Sequence, residues 1–314
     1  MGVKKEGTHM VDEVFAEAVR AAVAERTEGE VLIERVQKNN GLTLTGITVR
    51  NEGSMVSPNI YLDNIPEEKR SDENVNIIAD EIIRTLDRHR NEGIENTVEE
   101  LRSMLADKEM LLSALMPRVV NYEWNKELLE GLPHRRYLDL AITYEIEINS
   151  ESTCRVRNGM GIEISEEEMY EAAMRNVRLK KYTVTPISDM LERCLCRSGF
   201  IPADVESARA VPMIVITNES MSKGAYGIAD TQLLADISEG FRGGDGSGAD
   251  LIIIPSSTNE ILALPIRDNS DLDAELETLR WMVSEVNKSS VPEEERLSDS
   301  VYIFNRETKE LRIA

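Results

Sequence analysis

The alternation of apolar and polar positions along the chain predicts a mixture of helices and short strands. Apolar residues recur at helical spacing in long segments at 11–26, 72–90, 97–115, 165–178 and 271–287, and in short ones at 123–130, 189–196 and 227–238. Short apolar or alternating runs bounded by turn residues predict strands at 31–38, 42–49, 59–62, 137–149, 155–164, 213–216, 251–254, 261–264, 301–304 and 310–313. Asn39-Asn40-Gly41 predicts a tight turn between the first two strands, because Asn-Gly accepts positive φ.

These elements predict an α+β protein with two parts. An N-terminal unit of helix, three antiparallel strands and helix, with a helical connector, fills residues 10–115. A larger mixed α/β domain fills residues 116–314. Residues 1–9 are expected to be a tag or a disordered start, with Met10 as the first native residue, because Gly7-Thr-His-Met10 has the form of an expression-vector scar.

The charge of the chain restricts its partners. It holds 58 Asp and Glu against 36 Lys and Arg, a net charge of −22, and the acidic residues are spread along its length. Such a surface repels phosphate backbones, so direct nucleic-acid binding is not expected and a protein partner would present a basic surface. The apolar runs are far shorter than the roughly 18 residues that a membrane-spanning helix needs, so no membrane segment is predicted.

The cysteines favour a reducing compartment. Cys154, Cys194 and Cys196 are too few, and odd in number, for a disulfide framework. We therefore expect a cytoplasmic protein. No Cys or His cluster has the spacing of a zinc site, and we predict neither a metal nor a cofactor.

The main candidate site lies where two apolar strands end in polar residues. Thr217 and Asn218 follow the strand 213–216, and Ser256, Ser257 and Glu260 follow the strand 251–254. If these strands are neighbours in one sheet, their polar ends lie together at one rim. The serines lack the Gly-x-Ser-x-Gly elbow that exposes the nucleophile of many hydrolases.

A second candidate group is His134, Arg135 and Asp139, just before the predicted strand 137–149. Asp139 could orient the imidazole of His134 if the backbone folds back. The alternative is structural, because turns before strands commonly use polar residues.

Several motifs, taken together, resemble one bacterial family. They are Lys38-Asn-Asn-Gly-Leu42, Ser57-Pro-Asn-Ile-Tyr-Leu62, Asn125-Lys-Glu-Leu-Leu-Glu-Gly-Leu-Pro-His-Arg-Arg-Tyr-Leu-Asp-Leu-Ala141, Thr217-Asn218 with Gly224-Ala225, Leu251-Ile-Ile-Ile-Pro-Ser-Ser257 with Glu260, and Leu297-Ser-Asp-Ser-Val-Tyr302. The chain resembles, from Met10 onward, the family catalogued as domain of unknown function 5688, which is common in gut Firmicutes. The resemblance implies no activity. It leads us to expect a histidine before Glu260, where this chain has Asn259.

Three functions remain open at this point. The first is a non-catalytic binding or regulatory module, favoured by the small number of histidines and the lack of a catalytic motif. The second is a hydrolase-like enzyme that uses the polar loop after Ile254. The third is an acidic inhibitor of a nucleic-acid-handling complex, encoded on a mobile element, although the dispersed acidic residues do not favour a dedicated mimic.

Overall fold

The computed structural model describes residues 11–51, 58–91, 94–149, 152–196, 212–241, 248–267 and 271–314. The fold is α+β, as the sequence pattern predicts, with helices and three antiparallel sheets. The described residues belong to two compact units, one within Met1–Leu111 and Glu147–Thr153, the other within Leu112–Ile146 and Cys154–Ala314. The expectation for residues 1–9 falls outside the described residues.

The first unit is built on a three-stranded sheet with the order β1-β2-β3. Its elements are α1 (Glu13–Ala24), β1 (Glu30–Gln37), β2 (Thr43–Arg50), β3 (Asn59–Tyr61), α2 (Val75–Asn91), α3 (Ile94–Ala106) and α4 (Lys108–Ala114). Phe15, Val19 and Ile47 contribute to its core. The turn prediction is confirmed, because Asn40 (φ 60°) and Gly41 (φ 74°) both adopt the left-handed conformation. Val14, one of the apolar residues of α1, is 73% exposed.

The second unit contains a four-stranded sheet in which β6 is central. Its strands are β4 (Leu115–Asn121), β5 (His134–Tyr137), β6 (Leu140–Glu147) and β7 (Thr153–Arg155). The single strand predicted over 137–149 is wrong, because Tyr137 pairs with Leu140 and the chain reverses between them. Leu138 (φ 59°) carries the left-handed conformation of this turn. The pattern missed the turn because Leu138 is apolar and no Gly, Pro or Asn marks the reversal.

The predicted strand 155–164 is also wrong. Of this segment only Arg155 lies in a strand, β7, which pairs with β6, and residues 156–165 form a loop. Gly159 (φ 83°) and Gly161 (φ 72°) take conformations that end an extended strand. The helix α5 (Lys126–Glu130) precedes the hairpin, and α6 (Glu166–Lys180) follows the loop. The side chain of Ser165 accepts from the backbone N–H of Glu168, which completes a capping box at the start of α6.

A six-stranded antiparallel sheet completes the second unit, with the order β13-β12-β10-β11-β9-β8. Its strands are β8 (Thr183–Pro186), β9 (Ile214–Thr217), β10 (Leu251–Ile254), β11 (Ile261–Pro265), β12 (Tyr302–Asn305) and β13 (Glu310–Ile313). The accompanying helices are α7 (Ile187–Cys196), α8 (Thr231–Gly240) and α9 (Leu272–Ser289). Leu276 and Val283 of α9 pack on Ile252 and Ile303 of the sheet.

Candidate functional site

The polar residues that follow β9 and β10 lie at one rim of the six-stranded sheet. Both strands pair antiparallel with β11, which lies between them, so β9 and β10 run in the same direction and end at the same rim. The hydroxyl of Thr217 donates to the carbonyl oxygen of Asn259 at 2.7 Å, which joins the two polar segments directly. One strand, β11, therefore separates β9 from β10, and the polar residues that follow them lie at one rim, as predicted.

Most polar groups at this rim bond to one another. The Ser256 hydroxyl donates to Glu260 Oε1 at 3.3 Å, and Ser257 Oγ accepts from the backbone N–H of Asn259 at 3.1 Å. Asn218 Oδ1 accepts from the backbone N–H of Ser222 at 3.1 Å. Within the described part of the chain, neither serine hydroxyl bonds to a histidine. Among the described residues, Glu260 is therefore the group that accepts from Ser256, and no imidazole is positioned to activate either serine.

The rim loop fixes the position of Lys223. Asn259 Oδ1 accepts from the backbone N–H of Lys223 at 2.9 Å, and Lys223 adopts a left-handed φ of 57°. Gly224 follows, and a Cβ there would lie 2.5 Å from Thr217 Oγ1 and 2.7 Å from the backbone nitrogen of Asn218. Only glycine fits this close approach. Asn259, where the family resemblance leads us to expect histidine, thus orients the backbone at Lys223.

Lys223 reaches a buried charge cluster on the four-stranded sheet. Its Nζ lies 2.7 Å from Glu145 Oε2, and Arg118 Nη1 lies 3.1 Å from Glu145 Oε1. Glu145 is only 7% exposed. Burial alone would raise the pKa of Glu145, but Arg118 and Lys223 together hold it below its ordinary value. Sequence reasoning missed this cluster; its one local signal is a glutamate in the apolar run of β6.

The second candidate group does not form the predicted pair. His134 Nδ1 lies 3.0 Å from the carbonyl oxygen of Leu132, which fixes the ring and leaves Nε2 as the other nitrogen. Asp139 instead accepts hydrogen bonds from Ser298 Oγ (2.7 Å), Ser300 Oγ (2.9 Å) and Tyr302 OH (2.8 Å). The hairpin separates the two residues because His134 begins β5 and Asp139 lies in the turn at its other end.

Arg135 attaches the hairpin to α6. Its Nη2 lies 2.9 Å from Glu166 Oε2, it also pairs with Glu167, and its guanidinium lies 4.0 Å from the ring centroid of Tyr170. The hydrogen bond with Glu166 is the largest cause that raises the pKa of Arg135 above its ordinary value. Glu166 also accepts from the hydroxyl of Tyr144. These contacts give Arg135 a structural role.

A pocket of about 690 Å³ lies between the start of β5, the loop 156–165 and the start of α6. Its lining combines apolar and polar side chains. The apolar ones are Leu132, Pro133, Val156, Met160, Ile162, Ile164 and Met169, and the polar ones are His134, Arg157, Asn158, Glu163 and Glu166, with Gly159 and Gly161 between them. Among these described lining residues there is no Ser, Thr, Cys or Lys that could act as a nucleophile. His134 is the predicted site residue that the pocket includes.

Among the residues that the structure describes, no group of three or more His, Cys, Asp or Glu side chains is arranged to hold a metal ion. None of the described helices combines the length and the apolar composition that crossing a membrane requires.

Comparison with known proteins identifies a family without a characterised activity. No curated protein and no solved structure is significantly similar to the chain. A family model described as "Family of unknown function (DUF5688)" matches residues 12–306. Because this match covers nearly all of the sequence and agrees with the motif resemblance, the chain belongs to the DUF5688 family.

Proposed function

We propose that this protein is a non-catalytic binding module that takes a small, partly apolar ligand into the pocket beside His134. The observation that carries the proposal is the pocket lining, in which apolar side chains lie next to polar groups that could fix the orientation of a ligand. Concave sites with this composition are typical of small-molecule binding.

The chemistry of the lining favours binding over catalysis. A hydrolytic mechanism through an acyl-enzyme intermediate needs a hydroxyl or thiol nucleophile next to a base, and the described lining residues provide a base in His134 without a Ser, Thr or Cys. The ring of His134 is oriented by a backbone carbonyl, not by a carboxylate that would stabilise its charged form. Glu166 already accepts from Arg135 and Tyr144.

The proposal is tested with the fluorescent apolar probe anilinonaphthalene sulfonate. Ile162→Asp places a charge next to the apolar side chains of the lining. We therefore expect it to raise the dissociation constant of the probe by about tenfold or more. Met221→Asp is the matched control, because Met221 is 59% exposed and lies outside the pocket lining. Equal binding to wild type and Ile162→Asp, or equal loss in both variants, would contradict the pocket as the binding site.

The non-catalytic part of the proposal has its own test. Wild type is incubated with nitrophenyl esters of acetate and phosphate, and we expect no release of nitrophenol above the buffer rate. His134→Gln and His134→Ala are assayed alongside for thermal unfolding. If wild type turns over a substrate and both variants lose that activity while they melt like wild type, His134 is catalytic and the proposal is wrong.

A cytoplasmic location is part of the proposal. It is supported by the low cysteine content and by Cys154, which is a free thiol. Fractionation of a producing bacterium, with cytoplasmic and secreted marker proteins, would test it. Recovery of the protein mainly from the culture medium would contradict this location.

A further inference from the structure

The helix α9 exposes a tryptophan on the face that points away from the sheet. Leu276 and Val283 bury the opposite side of this helix against the six-stranded sheet. Trp281 lies about 160° around the helix axis from Val283 and is 66% exposed. A helix that packs on a sheet ordinarily carries polar residues on this outer face. The indole of Trp281 therefore does not contribute to the core of its own domain.

Two further apolar residues extend the exposed surface from Trp281 along α9. Met282 is 47% exposed, and Val286 is 48% exposed. They are four positions apart and so are neighbours on one ridge of the helix, while Thr278 fills the surface between Trp281 and Met282. A single exposed apolar residue is ordinary, but contiguous ones mark interaction sites. We call Trp281, Met282 and Val286 the α9 apolar strip.

Carboxylates border the α9 apolar strip. Glu277 and Glu285 lie four positions before and after Trp281, so both are its neighbours on the helix surface, and both are exposed. Lys288 Nζ lies 3.4 Å from Glu285 Oε1, an exposed contact of the kind that contributes little to stability. The surface therefore combines an exposed indole with negative charge on both sides of it.

The charge around the strip restricts the kind of partner that fits it. A second copy of the chain, with its own net charge of −22, would bring the same carboxylates against Glu277 and Glu285, and like charges across an interface oppose association. A helix with Lys or Arg beside its apolar face would instead place these cations against the carboxylates and over the indole of Trp281. The 18 residues of α9 span about 27 Å, which is long enough to receive such a helix.

We propose that the α9 apolar strip is the docking surface for a basic amphipathic helix of another protein. Trp281 is the central anchor, because an aromatic side chain buries a large apolar area at an interface. Met282 and Val286 continue the apolar contact, and Glu277 and Glu285 select a partner with Lys or Arg at its border. None of these residues lines the pocket of the proposed ligand site, so this proposal does not depend on ligand binding there.

The experiment follows the fluorescence of Trp281 during titration with a synthetic Leu/Lys peptide of 18 residues, the length of α9, whose leucines form one helical face. The chain has two tryptophans, so Trp124→Phe makes Trp281 the sole tryptophan emitter. We expect the emission of Trp281 to move to shorter wavelength as the peptide covers the indole. A scrambled peptide of the same composition, and a Leu/Glu peptide with the same apolar face, should bind at least about tenfold more weakly. Unchanged emission, or equal binding of either control peptide, overturns the proposal.

Trp281→Ala is the test variant for calorimetry with the same Leu/Lys peptide. Leu179→Ala on α6 is its matched control, because Leu179 is 74% exposed. Both replaced side chains are exposed, so both variants should melt close to wild type. Trp281→Ala should bind the peptide at least about tenfold more weakly than wild type, and Leu179→Ala should bind it like wild type. Equal affinity of Trp281→Ala and wild type would show that the strip is not the docking surface. If Trp281→Ala unfolds, the emission measured in Trp124→Phe decides.

Sedimentation velocity without peptide tests a second copy as the occupant of the strip. We expect wild type and Trp281→Ala to have the same oligomeric state, because the carboxylates beside Trp281 oppose self-association. A dimer of wild type that Trp281→Ala dissociates would assign the strip to a second copy, and the proposal would be wrong.

Discussion

At the residue scale, Asp139 explains why several separate motif residues occur together. Its carboxylate accepts hydrogen bonds from Ser298, Ser300 and Tyr302 within one C-terminal segment. Burial and the nearby charge of Asp139 raise the pKa of Tyr302, so Tyr302 remains a hydrogen-bond donor at neutral pH. The turn after β5 is thereby attached to a segment that begins more than a hundred residues later in the chain.

We predict that Asp139→Asn destabilises the protein strongly. An amide offers one acceptor oxygen in place of two and turns an NH₂ group toward hydroxyls that need acceptors. Loss of charge-assisted hydrogen bonds at a partly buried site should lower the free energy of unfolding by roughly 2–4 kcal/mol. Urea denaturation measures this change. Asp236→Asn on the exposed face of α8 is the control, and an equal effect in both variants would contradict the assigned role of Asp139.

At the element scale, α8 begins at a buried carboxylate that joins it to α6 and to the residue before β8. Asp230 is 1% exposed, and its side chain accepts from the backbone N–H of Leu233 as the N-cap of α8. Arg178 of α6 donates two hydrogen bonds to Asp230, at 2.8 and 3.0 Å, and the hydroxyl of Tyr182 donates a third at 3.1 Å. Burial would raise the pKa of Asp230, but Arg178 and the other donors lower it below its ordinary value.

The depressed pKa of Asp230 predicts that the difference in unfolding free energy between wild type and Asp230→Asn depends on pH. The ionised Asp230 carboxylate contributes fully to the free energy of unfolding above its pKa in the unfolded chain, about 3.9. This contribution is lost as the pH falls through the lower pKa of the folded protein. At pH 7 the variant should lose roughly 2–4 kcal/mol of unfolding free energy, and this gap should narrow in acid. Urea denaturation from pH 7 to the acid limit of folding measures it.

Asp271→Asn is the matched control for this prediction. Asp271 is the N-cap of α9, accepts from the backbone N–H of Ala274 and is exposed. Asn is as good an N-cap as Asp, so this variant should be close to wild type in stability. A gap between wild type and Asp230→Asn that stays constant, or widens, toward low pH would show that Asp230 does not act as a paired carboxylate.

At the scale of the whole molecule, the net charge of −22 governs which polyanions can approach. A duplex presents a continuous row of phosphates, and binding it requires several Lys or Arg side chains along one surface. We therefore expect any large partner to present a basic surface that complements the acidic one.

We predict that the purified protein does not retain duplex DNA at physiological salt, about 0.15 M. A gel-shift assay measures retention, with a salt series down to low ionic strength. Retention by wild type that weakens as salt is added would contradict this prediction.

The sequence alone determined the α+β class, the locations of most helices and strands, and the rim at which the polar ends of β9 and β10 lie. Those features depend on local periodicity and on turn residues, such as Asn40-Gly41, whose backbone preferences act within a few positions. The capping box at Ser165 is equally local. Strand direction in an antiparallel sheet then brings the polar ends of β9 and β10 to one rim.

Only the tertiary structure decided which distant residues share a site. Lys223 and Glu145 are 78 residues apart, and Asp139 and Tyr302 are 163 apart, so no local pattern relates them. Two errors of prediction concern strands that pair with β6, because the chain reverses at Leu138 and leaves the sheet after β7. Local periodicity in the sequence indicates whether a side chain is buried. The order and register of the strands decide which other side chains it contacts.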